Sequence, residues 1–528
     1  MSDDTAPAPA TESPDPESLW LATTPTTDYD PFEDGLEVDA AVIGGGITGL
    51  TAAIELKEAG QSVAVLESDR IVESTTGHTT AKLTSQHGLV YDTLVSEFGE
   101  EKASQYAEAN EAAIDAVERR VEESDIDCDF RRTEAYTYAA SPDDVSQVRD
   151  EVDAAQRLGL PASYVEETPL PYEVDGAVRF DEQAAFHPRK YLLAIADEIH
   201  GEDSYVFEET RALEIEPGSP CRVETERGDV VADDVVVATH FPFFDRAGYF
   251  ARMHPHRAYL LAVRIDGSPP AGMYYNTASP PATIRRYPVT ESVGSDEEGK
   301  AEELLIVGGQ SHKPSVDGVP TSERYRRCEA FAREHFDVES IAYRWSTMDY
   351  SPVDDVPFIG QIDPLSEHVY VGTGFKGWGM TGGTAAGMIL ADLITEGENP
   401  WADVFDPQRF TPKASAKRFL EENAKVGGSF VGDRIKSLLA SLEARGSDGL
   451  PDPGDARVVR RTDQPLGVYR DEEGTTHAVS ATCPHMGCLV RWNDAERTWD
   501  CPCHGSRFTH DGEVLSGPAV EGLLYREL

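Results

Sequence analysis

The apolar run Val38-Asp-Ala-Ala-Val-Ile43 leads straight into Gly44-Gly-Gly46-Ile-Thr-Gly49, and a helical pattern follows from Leu50 to Ala59. After Gly60 a second apolar run, Ser62 to Leu66, ends on Glu67. Strand, glycine turn, helix and strand in this order predict a βαβ unit with buried parallel strands. Each residue of the turn has a mechanical task. Gly44 makes the tight turn, Gly46 lets a pyrophosphate approach the backbone at the helix N-terminus, and Gly49 lets the helix pack on the sheet. Glu67 is placed to accept from a ribose hydroxyl, and Thr48 is counted among the contacts. A lone Gly-x-Gly-x-x-Gly also describes a merely structural turn; the strand before it and the acid about twenty residues on argue for a dinucleotide.

The second constraint lies near the C-terminus, where Cys483-Pro-His485-Met-Gly-Cys488 is followed, thirteen residues after Cys488, by Cys501-Pro-Cys503-His504-Gly-Ser506. The spacing fits two loops that each give one thiolate and one imidazole to a [2Fe–2S] cluster, with Cys483, His485, Cys501 and His504 as the ligands. Cys/His pairs at short spacing also serve zinc, which is the alternative. The motif Cys-Pro-Cys-His-Gly-Ser, with Trp-Asn upstream and Gly-Pro downstream, resembles Rieske proteins over roughly residues 452 to 528. That resemblance, to the disulfide-bearing type, implies that Cys488 and Cys503 bridge the two loops.

Between these motifs the chain carries signs of FAD. Thr75-Thr-Gly77-His78-Thr79-Thr80-Ala-Lys82-Leu-Thr84 is too rich in hydroxyls for an ordinary helix and suits the wrapping of pyrophosphate and ribityl groups, with Thr79, Thr80 and Lys82 as contacts. Late in the chain Val369-Tyr-Val-Gly372-Thr-Gly374-Phe-Lys376-Gly377-Trp378-Gly379-Met380-Thr381 again runs from a strand into a glycine-rich helix start. Such a helix N-terminus can face the flavin pyrimidine, where negative charge gathers on reduction. Here the chain resembles the FAD-dependent oxidoreductases of the D-amino-acid oxidase and glycine oxidase superfamily. Gly374, Gly377, Gly379 and Thr381 stand in matching places of the closing segment, and Trp378 and Met380 lie between them. Asp234-Val-Val-Val-Ala-Thr239 looks like the family's second Rossmann-sheet strand, and Asp354-Asp-Val-Pro357-Phe-Ile-Gly360 like its Asp-Gly-x-Pro-x-Ile-Gly stretch. Two departures stand out: Asp355 and Lys376 both occupy positions where the family pattern has Gly. The resemblance covers roughly residues 36 to 400 and, with the Rieske tail, points to flavin oxidoreductases with a C-terminal Rieske domain.

The implied fold is an α/β Rossmann-like FAD domain with an interleaved α+β substrate domain, plus a small all-β Rieske domain. The FAD-binding parts fall at about 36–95, 200–245 and 350–400, and the substrate domain at about 128–200 and 255–345. Helices are expected over Leu94 to Glu123, Asp143 to Leu158 and Pro188 to Ile199, and strands at Tyr259 to Ile265 and Leu304 to Val307. Residues 401–451 read as a helical connector, with periodicity over Ala414 to Asn423 and Ser429 to Leu442, ending in the turn-rich hinge Gly446 to Gly454. Residues 1–35, rich in Asp, Glu, Pro, Thr and Ala, read as a disordered acidic tail with neither the basic start nor the apolar stretch of an export signal.

Formal charge is −50, from 46 basic and 96 acidic residues, with eleven lysines against 35 arginines. Such a surface repels nucleic acid and anionic membrane. It suits a high-salt, halophilic cytoplasm, where salt screens the repulsion among carboxylates. No stretch reaches the roughly 20 apolar residues needed to cross a bilayer. Cys128, Cys221 and Cys328 are scattered and read as packed thiols. The cytoplasm is the consistent compartment, where a Cys488–Cys503 bond persists only if shielded.

The chemistry expected follows from joining a flavin to a one-electron centre. A small-molecule amine, amino acid or hydroxy acid gives a hydride equivalent to FAD, and the cluster hands the electrons singly to an external acceptor. The alternatives are an oxidase or reductase using oxygen or a protein partner, and a non-enzymatic redox sensor. Arg285 and Arg286 lie on an extended stretch where neighbours point to opposite faces, so one of them is a candidate to bind a substrate carboxylate. Lys376 adds a charge beside the cofactor and is the third catalytic candidate. His78 and His87 are read as structural, and His187, before the helix at Pro188, as facing a pocket or capping.

Overall fold

The structure, a computed structural model, describes residues 14–33, 35–289, 302–314, 318–411, 450–461 and 464–526, with a few isolated positions between 415 and 423. Among them an eight-stranded sheet grows from the first motif. Strand Leu36–Ile43 pairs in parallel with Val63–Leu66 on one side and with Gly228–Val237 on the other. Tyr205–Phe207 and Val369–Thr373 extend the parallel order outward, and Phe358–Gln361 closes one edge antiparallel. The apolar runs are buried on both faces: Ala41, Ile43, Ala64 and Leu66 pack with Ile215, Val223, Phe241 and Tyr249 on one, and Ala40, Val42, Val63 and Val65 lie under helices on the other. Two of these, Ile47–Glu58 and Gly379–Thr395, pack on each other. Their approach is close: a Cβ on Gly387 would lie 2.5 Å from that of Thr51. The glycine-rich start of the second helix thereby comes to stand beside that of the first.

A nine-stranded sheet is built by the two excursions expected from the sequence. The first supplies Arg131–Tyr138, Ala162–Val165 and Ala177–Ala185; the second supplies Met253–Ile265, Met273–Asn276, Thr283–Val289, Glu302–His312 and Val338–Pro352. Its outermost strand is Lys82–Leu83, paired with Ala184 and Ala185. The hydroxyl-rich loop therefore crosses from one sheet to the other, which puts it between the two layers.

Three expectations need correction or restriction. The helix over Leu94 to Glu123 is two helices, Tyr91–Phe98 and Glu100–Glu123, because Gly99 takes φ +88° and ends the first. The acidic tail is anchored at residues 18–20: Ser18, Leu19 and Trp20 are fully buried, and Arg189 donates to Thr24 and to the Pro25 carbonyl. Composition pointed to disorder, but Leu19-Trp20-Leu21 supplies enough apolar surface to anchor the segment. The connector's second helix, Ser429 to Leu442, and half of its first lie outside the described residues; the described half of the first, Ser415, Arg418, Phe419, Leu420 and Asn423, is helical.

The C-terminal part forms two small antiparallel sheets, Ala456–Arg461, Gln464–Arg470 and Thr476–Ser480 in one, and Arg491–Asn493, Thr498–Asp500, Arg507–Phe508 and Val514–Ser516 in the other. It docks on the nine-stranded sheet. Arg257, buried in strand Met253–Ile265, reaches Glu496 at 3.2 Å and Asp500 at 3.1 Å. Thr321 and Tyr325 add hydrogen bonds to Asp494 and Glu496. No helix among the described residues is long and apolar enough to cross a membrane.

Candidate functional site

A cavity of about 500 Å³ lies between the two large sheets. Gly44, Gly46, Thr48 and Glu67 line it from the βαβ unit. Gly44 takes φ +111° and has no room for a side chain, since a Cβ would stand 2.5 Å from the Ala238 carbonyl oxygen. A Cβ on Gly46 would meet only the Thr76 hydroxyl, at 3.1 Å, so its open side is the cavity. Gly49 lies behind the lining, pressed on the Gly44 carbonyl, and serves helix packing as expected. Glu67, the residue expected to accept from a ribose hydroxyl, accepts from the Gly45 N–H at 2.8 Å and from Ser68 and Asp69, and so braces the glycine turn.

The hydroxyl-rich loop is held from behind. Ser18 donates to the Gly77 carbonyl, Trp345 to that of His78 and Trp20 to that of Thr79. With the carbonyls so engaged, Thr75, Thr76, His78, Thr79, Thr80 and Lys82 line the cavity. The Lys82 ammonium donates to the Tyr274 carbonyl and the Thr283 hydroxyl, both at 2.5 Å. Burial, then the charge of Arg285, hold its pKa well below the ordinary lysine value.

Arg285 and Arg286 do not line the cavity. Arg285 is buried and donates to the Thr80 and Ala81 carbonyls, with its guanidinium beside Trp20 and Tyr287; it is another support of the loop. Arg286 points to the other face and pairs loosely with Glu303 at 3.8 Å. The alternation expected along the strand is present, yet neither guanidinium is among the groups that line the cavity. His187 accepts from the Lys190 N–H and so caps its helix. His87 stacks on Trp378 from outside the cavity.

The closing segment contributes Lys376, Gly377, Trp378, Gly379 and Met380. Gly374 and Thr381 sit behind this wall: a Cβ on Gly374 would strike Pro352, and Thr381 exchanges two 2.8 Å hydrogen bonds with the Thr84 backbone. The two departures from the family pattern explain each other. Asp355 and Lys376 both have left-handed backbone, φ +65° and +55°, where glycine is at ease. Their side chains form an ion pair at 2.7 Å, which engages the Lys376 ammonium at the cavity edge.

The sequence reading missed the opposite wall. His240, His256, Tyr275, Met348, Asp349 and Tyr350 line it, and burial drives the two imidazoles down, to about 4 and about 3. Asp349 accepts from the Tyr350 N–H at 2.7 Å and the Gly377 N–H at 2.5 Å, which ties this strand to the closing segment. Burial nevertheless raises its carboxyl to about 7. A carboxyl raised on folding binds its proton more tightly in the native state. Its stabilising effect is full below about pH 4 and is lost as pH rises through about 7. Wild-type stability should fall across this window by more than that of Asp349→Asn, by on the order of a few kcal/mol. Parallel urea-unfolding profiles for the two proteins would dismiss the assignment.

The C-terminal loops meet this wall. Arg507 and residues 515–520 line the same cavity. Cys483 and Cys501 are buried, and the rings of His485 and His504 lie 5.0 Å apart. The Cys483 thiol is lowered to about 7, chiefly by the hydrogen bond from Cys501, with Ser506 adding another. The Ser506 oxygen accepts from the Ala519 N–H at 3.1 Å, which leaves its proton for sulfur. A disulfide joins Cys488 to Cys503. Cys483 and Cys501 thus form one pair, with a hydroxyl donor beside it, and His485 and His504 another, a donor set whose chemistry suits a metal–sulfur group.

Residues 39–393 match the FAD dependent oxidoreductase family, and residues 442–524 match the Rieske [2Fe-2S] domain. Over 510 residues, 96% of this chain and 97% of the other, the protein is 37% identical to the Rieske 2Fe-2S iron-sulfur protein YhfW of Bacillus subtilis (strain 168). It is 26% identical to gamma-glutamylputrescine oxidoreductase of Escherichia coli (strain K12) over 216 residues, 40% of this chain and 50% of that one. Glycine oxidase from Geobacillus kaustophilus shares the fold with a TM-score of 0.57 at 16% identity, covering 71% of this chain and all of the other.

Proposed function

The chain belongs to the FAD-dependent oxidoreductase family and ends in a Rieske [2Fe–2S] domain, and from that premise we propose that it oxidises a small amine, amino acid or hydroxy acid and delivers the electrons singly to an external acceptor. FAD supplies two-electron uptake from a substrate carbon, and the cluster one-electron transfer. Gly44, Gly46 and Thr48 would hold the pyrophosphate at the helix N-terminus, with Glu67 beside the ribose. Thr79, Thr80 and Lys82 would take the ribityl side, and the backbone of Gly377 to Met380 would face the pyrimidine. Cys483, His485, Cys501 and His504 would ligate the cluster, and the Cys488–Cys503 bond would clasp their loops. His240 and His256, uncharged at neutral pH, would add no positive charge to the opposite wall.

One observation carries this reading: the cavity that bears the dinucleotide glycines is also lined by residues 515–520 of the Rieske domain. The substrate class is supported by the relatives, one named for an amine-bearing compound and one for an amino acid. The test is an anaerobic screen of amines, amino acids and hydroxy acids for flavin bleaching, with EPR of the cluster in the same samples. Bleaching followed by the signal of a reduced, histidine-ligated cluster is expected. Stoichiometric peroxide in air with a cluster that stays oxidised would sink the proposal in favour of an oxidase.

The cluster's potential should be set in part by Ser506 and Phe508. Hydroxyl donors to sulfur favour the electron-rich reduced state. Ser506 supplies one, while Phe508, fully buried in the neighbouring strand, stands where high-potential Rieske proteins have Tyr. One hydrogen bond of about 0.5–1.5 kcal/mol corresponds to roughly 20–65 mV for a one-electron couple. Ser506→Ala is expected to lower the potential by that amount and Phe508→Tyr to raise it, in a redox titration followed by EPR. A potential unmoved in both variants would remove the hydroxyls from the account.

A further inference from the structure

We propose that Tyr350 is the electron bridge between the flavin cavity and the cluster, an inference that rests on the functional reading above. Tyr350 lies on strand Val338–Pro352, is buried, and lines the cavity. Its hydroxyl donates to the backbone carbonyl of His504 at 2.7 Å. One side chain thus touches both the wall of the flavin site and the backbone of a proposed cluster ligand. The contact is tight: a Cβ on Gly505 would stand 2.8 Å from the Tyr350 hydroxyl, so no side chain fits between the two domains here.

The surroundings keep the contact dry and fixed. The Tyr350 ring packs against His240 and Phe241, with centroids 4.7 and 4.9 Å away, and Phe241 in turn lies 6.2 Å from the rings of both His485 and His504. The buried ion pairs of Arg257 with Glu496 and Asp500 hold the domain in this pose. The junction is therefore a standing part of the fold and needs no swing of the cluster domain. With both groups bound, the bound flavin would give up one electron at a time and one ferric iron of the cluster would become ferrous with each, the proton freed at the second transfer passing to water. No bond of Tyr350 is made or broken. The external acceptor must remove the first electron before the second follows.

The test uses the holoenzyme with both cofactors bound, under argon, reduced at the flavin by a photochemical pulse. Flavin reoxidation is followed by absorbance and cluster reduction by freeze-quench EPR. In wild type the electron should reach the cluster at a rate independent of protein concentration. Tyr350→Phe keeps the ring and removes only the hydrogen-bonded link, so it should slow that transfer severalfold. FAD content, the EPR signature and both midpoint potentials should stay at wild-type values. A wild-type rate in Tyr350→Phe would overturn the bridge while leaving the functional reading intact. A slower rate matched by a change in cluster potential would make Tyr350 a positioning residue and also overturn it. Absence of concentration-independent transfer in wild type would instead defeat the functional reading itself.

Discussion

Replacing Arg257 by alanine is expected to loosen the Rieske domain from the flavin-binding body at a cost of about 3–5 kcal/mol, the loss seen when one partner of a buried ion pair is removed. The guanidinium is 1% exposed and faces two carboxylates that are themselves buried. Burial alone would raise the Glu496 carboxyl, but Arg507 and Arg257 overcome it and hold it at about 2. Without Arg257 the two acids keep Arg507 as their remaining cation among the described ion pairs. The measurement is urea unfolding followed by the cluster's absorbance, with limited proteolysis between the domains as a second readout. Arg257→Met combined with Glu496→Gln should recover part of the loss, because no full charge is then stranded on Glu496. The same pair predicts acid sensitivity: a carboxyl depressed on folding stabilises above its ordinary value near 4.5 and loses that contribution as pH falls towards 2. A change below about 1 kcal/mol in Arg257→Ala, the scale of a surface pair, would show that water reaches the junction.

Gly46→Val should yield a protein that folds and retains its cluster but lacks FAD. The effect would not come from backbone strain, since Gly46 has φ −92° and ψ −172°, an extended conformation that valine adopts readily. It would come from volume: the cavity is the open side of Gly46, and a branched side chain there fills the place where the pyrophosphate meets the helix N-terminus. Flavin absorbance after desalting, against iron content and the cluster's EPR signal, separates the two cofactors. A full FAD complement would mean that the glycine turn is not the phosphate site. Gly44 makes the contrast, because there φ +111° and the Ala238 carbonyl forbid a side chain and substitution should damage the fold itself.

The parts of the protein legible in the sequence are those whose geometry is local. The βαβ unit, the cysteine and histidine pairs and the helix Pro188–Ile199 are each set within a few turns of chain by periodicity, capping and glycine placement. The clasp between Cys488 and Cys503 came from a family resemblance and is present as a disulfide. Arg285 was equally visible, but its use was not. Extended alternation says that Arg285 and Arg286 face opposite ways, and says nothing of what each face meets, which here is loop carbonyls on one side and Glu303 on the other.

Asp355 and Lys376 stood out singly as departures from a pattern, and only the folded chain made them one ion pair. The burial of Trp20 behind the hydroxyl-rich loop, the raised carboxyl of Asp349, the reach of Arg257 to a residue 239 positions away and that of Tyr350 to one 154 away leave no periodic trace. Sequence by itself determined which cofactors the chain is built to hold, because their binding loops are short-range structures. Tertiary structure alone decided that the two sites share a wall, because that contact depends on how two sheets and a docked domain exclude water from the charges and rings between them.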